Sequence, residues 1–116
     1  MKILTLPVAK PAFDMLNDTN PETRKNEEYR AMIEFWFTRL LKQVDNHYVG
    51  SKQFDLVKFT NGYGNKVPRV FREWKGLTIA KPNPLWVPPG FLNLEDDYFA
   101  IQLGDIVLET PELLTP

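Results

Sequence analysis

The chain contains no cysteine and a single histidine, His47, among its 116 residues. Disulfides and thiolate metal sites are therefore excluded. One imidazole without partners argues against a histidine-based metal centre or a Ser-His catalytic pair, and His47 reads as a loop or helix-end residue. A charge excess of either sign is also missing. Fourteen Lys and Arg against 15 Asp and Glu leave a formal net charge of −1. With no molecule-wide basic field, any polyanionic partner must be met by a local patch. Long apolar runs are absent as well: nothing approaches a membrane span, and the apolar stretch in Met1 to Leu6 is too short for a signal peptide. The expected setting is the cytoplasm, with no membrane partner.

What is present is aromatic. Phe, Trp and Tyr make up 13% of the residues within a hydrophobic share of 43%, the balance of a folded chain and not a disordered one. The length is that of a single domain, 1–116, able to build a core without staples.

The periodicity predicts a first strand over Lys2 to Leu6, with Leu4 and Leu6 turned to the core and Pro7 ending it. Pro11 suits the first turn of a helix, whose apolar side is Ala12, Met15 and Leu16. After the polar breakers of residues 17–21 comes a short extended segment, Glu27 to Arg30. Ile33, Trp36, Phe37, Leu40, Leu41 and Val44 then recur at helical spacing. Trp36 and Phe37 read as core residues of that helix, and Phe35, off the stripe, as a second contact. From Gln53, Phe54, Leu56, Val57 and Phe59 predict a strand with one phase slip, read as a bulge. Asn61-Gly62-Tyr63-Gly64-Asn65-Lys66 carries a hairpin-turn signal. Val67 to Lys81 reads as a long strand bent near Gly76. The proline-rich segment from Lys81 to Gly90 is an ordered crossing loop pinned by Trp86. Tyr98 to Leu108 is the last strand, with Phe99, Ile101 and Leu103 inward and Gly104 permitting a bend, and Glu109 to Pro116 is a tail. Five or six strands with two helices make the class α+β, with a strongly bent sheet or small barrel.

The segment Arg24-Lys25-Asn26-Glu27-Glu28-Tyr29-Arg30 carries the chemistry. In an extended segment, Glu28 and Arg30 share one face and Tyr29 takes the other. Lys25, just ahead, reaches the same mouth. A Lys–Glu–Arg trio of this kind can grip a phosphate or a base edge, or perform acid–base work. The competing reading is a solvated salt bridge at a strand edge. Around the 61–66 turn, glycines permit close backbone approach, Tyr63 offers a stacking ring, and Lys66 and Arg69 add charge. The competing reading there is a plain hairpin loop.

Lys25, Glu28 and Arg30 fall on the charged positions of the pattern G-x-K-x-x-E-x-R, with Thr23 at the glycine position. In this the chain resembles the ASCH-domain proteins, and in particular a phage-type branch. That branch shares an opening like Ile3 to Val8, the run Glu27 to Arg30, and a helix with Trp36, Arg39 and Leu40. It also shares Phe59 to Tyr63, Lys75-Gly76 and Tyr98 to Gly104. The resemblance spans most of the chain and implies a PUA-like small β-barrel with two helices packed at its ends. It implies a cleft for RNA, a nucleotide or a modified nucleoside, lined by Lys25, Glu28 and Arg30, with Asn61 and Tyr63 closing one side. One branch of ASCH-like proteins hydrolyses N4-acetylcytidine with lysine, threonine and glutamate. Here the threonine position is Glu28, so the hydroxyl is missing. Some members are ribonucleases, for which this sequence carries no separate signature.

Three functions follow as expectations. The first is an RNA- or nucleotide-binding module in which Arg30 and Lys25 neutralise phosphate, Glu28 accepts from a base or ribose, and Tyr63 stacks, with Asn61, Lys66 and Arg69 as further contacts. The second is a hydrolase of the same cleft, with Lys25 and Glu28 catalytic. The third is an accessory protein-interaction domain using Phe35, Pro88, Pro89 and Phe91. No metal or cofactor is called for, and the oligomeric state is left between monomer and weak dimer.

Overall fold

The computed structural model describes residues 1–64 and 66–109. Its elements are β1 (Ile3–Val8), α1 (Lys10–Leu16), β2 (Glu27–Arg30), α2 (Glu34–Leu40), β3 (Leu41–Val44), β4 (His47–Ser51), β5 (Leu56–Asn61), β6 (Arg69–Ala80) and β7 (Tyr98–Val107). Five strands form one sheet in the order β1-β5-β6-β7-β2, and β3 with β4 forms a separate hairpin. The β1–β5 pair is parallel and the other pairs of the sheet are antiparallel. The sheet curls into a half-barrel, as the α+β expectation of a bent sheet requires.

The curl has a local cause. β6 runs for 12 residues, and its register against β7 shifts between Arg72 and Trp74 and again between Trp74 and Gly76. Each irregularity adds bend and twist. Gly104, opposite this region, sits in a tight spot: a Cβ there would lie 2.9 Å from Glu73 Cβ, which cannot swing aside as a side-chain tip can.

The curling brings the two edge strands, β1 and β2, within reach of one side chain. Arg30 Nη2 on β2 donates to the Pro7 carbonyl on β1 at 3.4 Å. The seam between these edges positions the candidate site.

Inside the curl, Leu6, Phe59, Val57, Phe99 and Ile101 are almost fully buried, with Phe13 and Leu16 of α1 and Leu40 of α2 packed among them. Two-residue alternation puts Leu4 and Leu6 inward from β1, and Phe99, Ile101 and Leu103 inward from β7. A smaller cluster of Tyr29, Val87 and Ala100 lies under the loop that follows β6. That loop is proline-rich and ordered, with a single 3₁₀ turn at Pro84–Trp86.

Several expectations need correction. Pro7 does not end β1, which continues to Val8. A proline is tolerated there because β1 is an edge strand with one unpaired side. The helix predicted to reach Val44 stops at Leu40, and Leu41–Val44 is a strand. It turns back through Asp45 and Asn46, with φ of 49° and 65°, the two successive positive values that a tight hairpin turn demands. His47 therefore opens β4. The count rises to seven strands because this hairpin was read as helix and loop. β5 carries no bulge: its pairings with β1 and β6 are regular. The apparent phase slip arises because Leu56, Val57, Phe59 and Thr60 are buried on both faces of an interior strand. The expected tail lies outside the described residues from residue 110 onward, as does Asn65 of the hairpin loop.

Candidate functional site at the strand seam

The loop before β2 is held from below by Arg72. This residue is wholly buried, and its guanidinium donates to the carbonyls of Gly104 at 2.8 Å, Leu16 at 3.1 Å and Lys25 at 2.7 Å, and to Asn26 Oδ1 at 2.7 Å. Burial pushes its pKa down to about 10, which leaves it charged at neutral pH. With Lys25 N–H bonded to the Met15 carbonyl at 3.0 Å, the segment 25–26 is fixed before β2 begins.

Register then aims the side chains. Glu28 pairs with Ile101 and Arg30 with Phe99, so both leave β2 on the core face. Tyr29 takes the opposite face, as alternation predicts, and its ring is buried. The Tyr29 hydroxyl donates to Glu27 Oε1 at 2.7 Å and accepts from the Asn83 N–H at 2.9 Å. Burial, reinforced by Glu27, raises its pKa well above the usual phenol range, so the phenol stays protonated.

The three charged heads meet. Glu28 accepts from its neighbour Tyr29 N–H at 3.0 Å, pairs with Lys25 Nζ at 3.1 Å, and faces Arg30 Nη1 at 3.4 Å. Lys25 Nζ also donates to the Trp86 carbonyl at 2.6 Å and sits 5.3 Å from the Tyr29 ring centroid. Side-chain exposures are 3% for Lys25, 5% for Glu28 and 17% for Arg30. The solvated-salt-bridge alternative therefore does not hold. Burying two ions costs several kcal/mol each, a cost offset here by mutual pairing and by added hydrogen bonds to Trp86 and Tyr29.

Arg30 is held more loosely. Its contacts to the Tyr29 carbonyl at 3.2 Å and the Pro7 carbonyl at 3.4 Å are long. Among the described residues its buried Nε has no partner. The guanidinium lies 5.2 Å from the Trp36 ring centroid, close enough for a cation–π contact.

Arg30 and Pro7 are shared by two cavities. An inner chamber of about 230 Å³ has Lys25, Glu28, Tyr29 and Arg30 on one side and the apolar Val87, Pro88, Phe91 and Leu92 on the other. An outer cleft of about 600 Å³ is lined by Arg30, Arg39 and Lys58, by Phe35, Trp36 and Tyr63, and by Thr5, Thr60 and the hairpin glycines. Among the described residues, three cations, three aromatic rings and no carboxylate line it. Gly62 and Gly64, at φ of 95° and 112°, put Tyr63 at the cleft rim, 87% exposed. Thr60 Oγ1 donates to the Gly62 carbonyl at 2.7 Å and steadies that tip.

The predicted residues are thus partly gathered. Lys25 and Glu28 face the inner chamber, Arg30 faces both, and Tyr63 borders the outer cleft. Asn61 ends β5, its N–H donating to the Pro68 carbonyl at 2.9 Å across the hairpin. Neither Asn61, Lys66 nor Arg69 lines the two cavities. Lys66 is exposed, and Arg69 makes a forked bond to Glu109 at 2.7 and 3.0 Å. Of the four residues expected on a protein-interaction surface, Phe35 lines the outer cleft, and Pro88 and Phe91 line the inner chamber. Pro89 lines neither.

Sequence reasoning missed Arg39, Lys58, Thr5 and Thr60, and read Trp36 as core alone. The signal was present. Arg39 lies three residues after Trp36 and four after Phe35, on one helical flank, and Lys58 alternates with Thr60 on one face of β5.

No protein-family model matches the chain, and no match is found among the curated proteins or the solved structures.

Proposed function

We propose that the seam between β1 and β2 binds single-stranded RNA or a nucleotide, as the resemblance to ASCH-domain proteins implies. One observation carries the reading: Arg30, steered by the buried Lys25–Glu28 pair, enters a cleft whose other charges among the described residues are positive and whose walls bear three aromatic rings. Cations for the backbone and π-faces for bases are the two components that single-strand binding requires. The chain's near-zero net charge confines the footprint to this cleft, so affinity is modest and falls with salt. Calorimetric titration at low salt with short single-stranded RNA and with free nucleotides tests the reading. Binding that weakens about tenfold in Arg30→Gln is expected. Absence of binding by the wild-type protein to either ligand at low salt overturns it.

A second reading, hydrolysis of a modified nucleoside or of RNA, is favoured by the inner chamber, where buried Lys25 and Glu28 share a cavity with apolar walls from Val87, Pro88, Phe91 and Leu92. In that reading both residues are catalytic. Incubation with N4-acetylcytidine and with single-stranded RNA, followed by chromatography, is expected to give product that Lys25→Ala abolishes. Turnover that survives the loss of Lys25 contradicts its role.

A further inference from the structure

Among the described residues some exposed cations take a carboxylate partner: Lys10 pairs with Asp14 at 2.7 Å, Lys75 with Glu73 at 3.7 Å and Lys81 with Asp97 at 3.4 Å. Others, such as Lys42 and Lys66, take none, and Arg39 of α2 and Lys58 of β5 belong with these but differ in their place. Both line the outer cleft, and among the described residues neither forms an ion pair. Glu109, whose carboxyl is lowered mainly by Arg69 and slightly by Lys58, is already taken by the Arg69 fork. Arg39 lies on the Phe35 ring, 4.2 Å from its centroid. That cation–π contact anchors the guanidinium, and among the described residues its N–H groups donate to no acceptor.

Arg30, the third cation of the cleft, is already partly neutralised by Glu28. The uncompensated charge of the cleft therefore belongs to Arg39 and Lys58, and it matches an anion. With Trp36, Phe35 and Tyr63 on the same walls, an anion that comes joined to an aromatic ring fits best.

Resting on the nucleotide-binding reading above, we infer that Arg39 and Lys58 form a phosphate-binding pair. The ligand of the seam is then a nucleotide with its phosphate attached, and a bare nucleoside lacks the group this pair recognises. The phosphate can come from a strand's diester or from a free monoester.

Titration of cytidine, cytidine 5′-monophosphate and a cytidine tetranucleotide without terminal phosphates tests the inference. Wild type, Arg39→Gln, Lys58→Gln and the double variant are compared at several salt concentrations. For the wild type, at least one phosphate-bearing ligand is expected to bind about tenfold or more tightly than cytidine. A preference for the tetranucleotide identifies the diester, and one for the monophosphate identifies the monoester. The double variant is expected to lose that preference, so that its affinities for the three ligands converge. Each single variant lowers the salt dependence by about one phosphate contact. Both side chains point into solvent-accessible space, so unchanged thermal unfolding is expected, and Arg39→Lys retains part of the preference. Equal wild-type affinity for all three ligands overturns the phosphate pair while leaving the binding seam intact. A preference that persists in the double variant overturns it likewise. Failure of all three to bind overturns the pair together with the nucleotide-binding reading.

Discussion

Arg72 and Arg30 are drawn out of water by the same curled sheet, but they are held in opposite ways. Arg72 makes four bonds of 2.7 to 3.1 Å to carbonyls and to Asn26, and it reaches no solvent. Arg30 makes long contacts, keeps an unpartnered Nε, stacks on a ring and borders two cavities. A cation with four of its five N–H groups bonded and no reach to solvent can only hold structure. One with donors and a ring face to spare can take a ligand. The difference separates an arginine committed to structure from one with donors left for a ligand.

The largest expected effect is on the Arg72 side. Arg72→Met leaves three carbonyls and Asn26 without their shared donor in a dry interior, and about 3–5 kcal/mol of stability is lost. Urea unfolding measures this. Arg30→Gln, in the same assay, costs less, about 1–2 kcal/mol, because its contacts are long and Glu28 keeps Lys25 as a partner. If the two costs came out alike, the contrast between the arginines would collapse.

Glu28→Gln comes next. It removes the charge that pairs with both Lys25 and Arg30 while keeping the shape, and it leaves Lys25 buried with only the Trp86 carbonyl as a strong acceptor. A loss of about 2–3 kcal/mol is expected by urea unfolding, together with weaker nucleotide binding because Arg30 is no longer steered. Unchanged stability would mean the trio is not coupled.

Tyr63→Ala sharpens the contrast from the outer side. The ring is 87% exposed, so the melting temperature is expected to stay put. Binding of a single strand falls by about 1–2 kcal/mol if a base stacks there. A drop in melting temperature with intact binding would reverse the assignment.

The smallest effect belongs to the rim of the Arg72 hub. Arg24 bonds to Asn26 Oδ1 at 3.1 Å and to Asp105 at 2.8 Å, and it holds the Asp105 carboxyl below its ordinary pKa. A carboxylate lowered in the folded state contributes stability above its ordinary pKa, near 4, and loses it as the pH falls through the folded value. Thermal melts between pH 6 and pH 3 are expected to show a slightly shallower acid loss in Arg24→Gln than in wild type. A steeper loss would contradict the sign.

How much of this was legible in the sequence varied with the physics involved. Two-residue alternation placed Glu28 and Arg30 together and Tyr29 apart, and it correctly turned β1 and β7 inward. Those are local properties of a strand. The β3–β4 hairpin was hidden because Leu41 and Val44 continue the helical stripe of α2, and the Asp45-Asn46 turn lacks the glycine that usually marks it. Arg72 looked like an ordinary charge on a long strand, since only the folded sheet shows four acceptors converging on it. The outer cleft needed tertiary contact too: α2 is separated in the chain from β5 and the hairpin that follows it, and no spacing rule joins Arg39 to Lys58. For the same reason Lys66 and Arg69, close to Tyr63 in sequence, looked like site residues. The strand turns Arg69 toward Glu109 instead.

The central claim is that the seam spanned by Arg30 is where this protein takes a nucleotide. Amide and indole chemical shifts recorded while a short single-stranded RNA is added test it most directly. The account predicts concentration-dependent shifts at Arg30, at the Trp36 indole and across Gly62 to Gly64, with the Arg72 hub and the β3–β4 turn unmoved. Shifts confined to other surfaces, or none at saturating RNA and low salt, would contradict it.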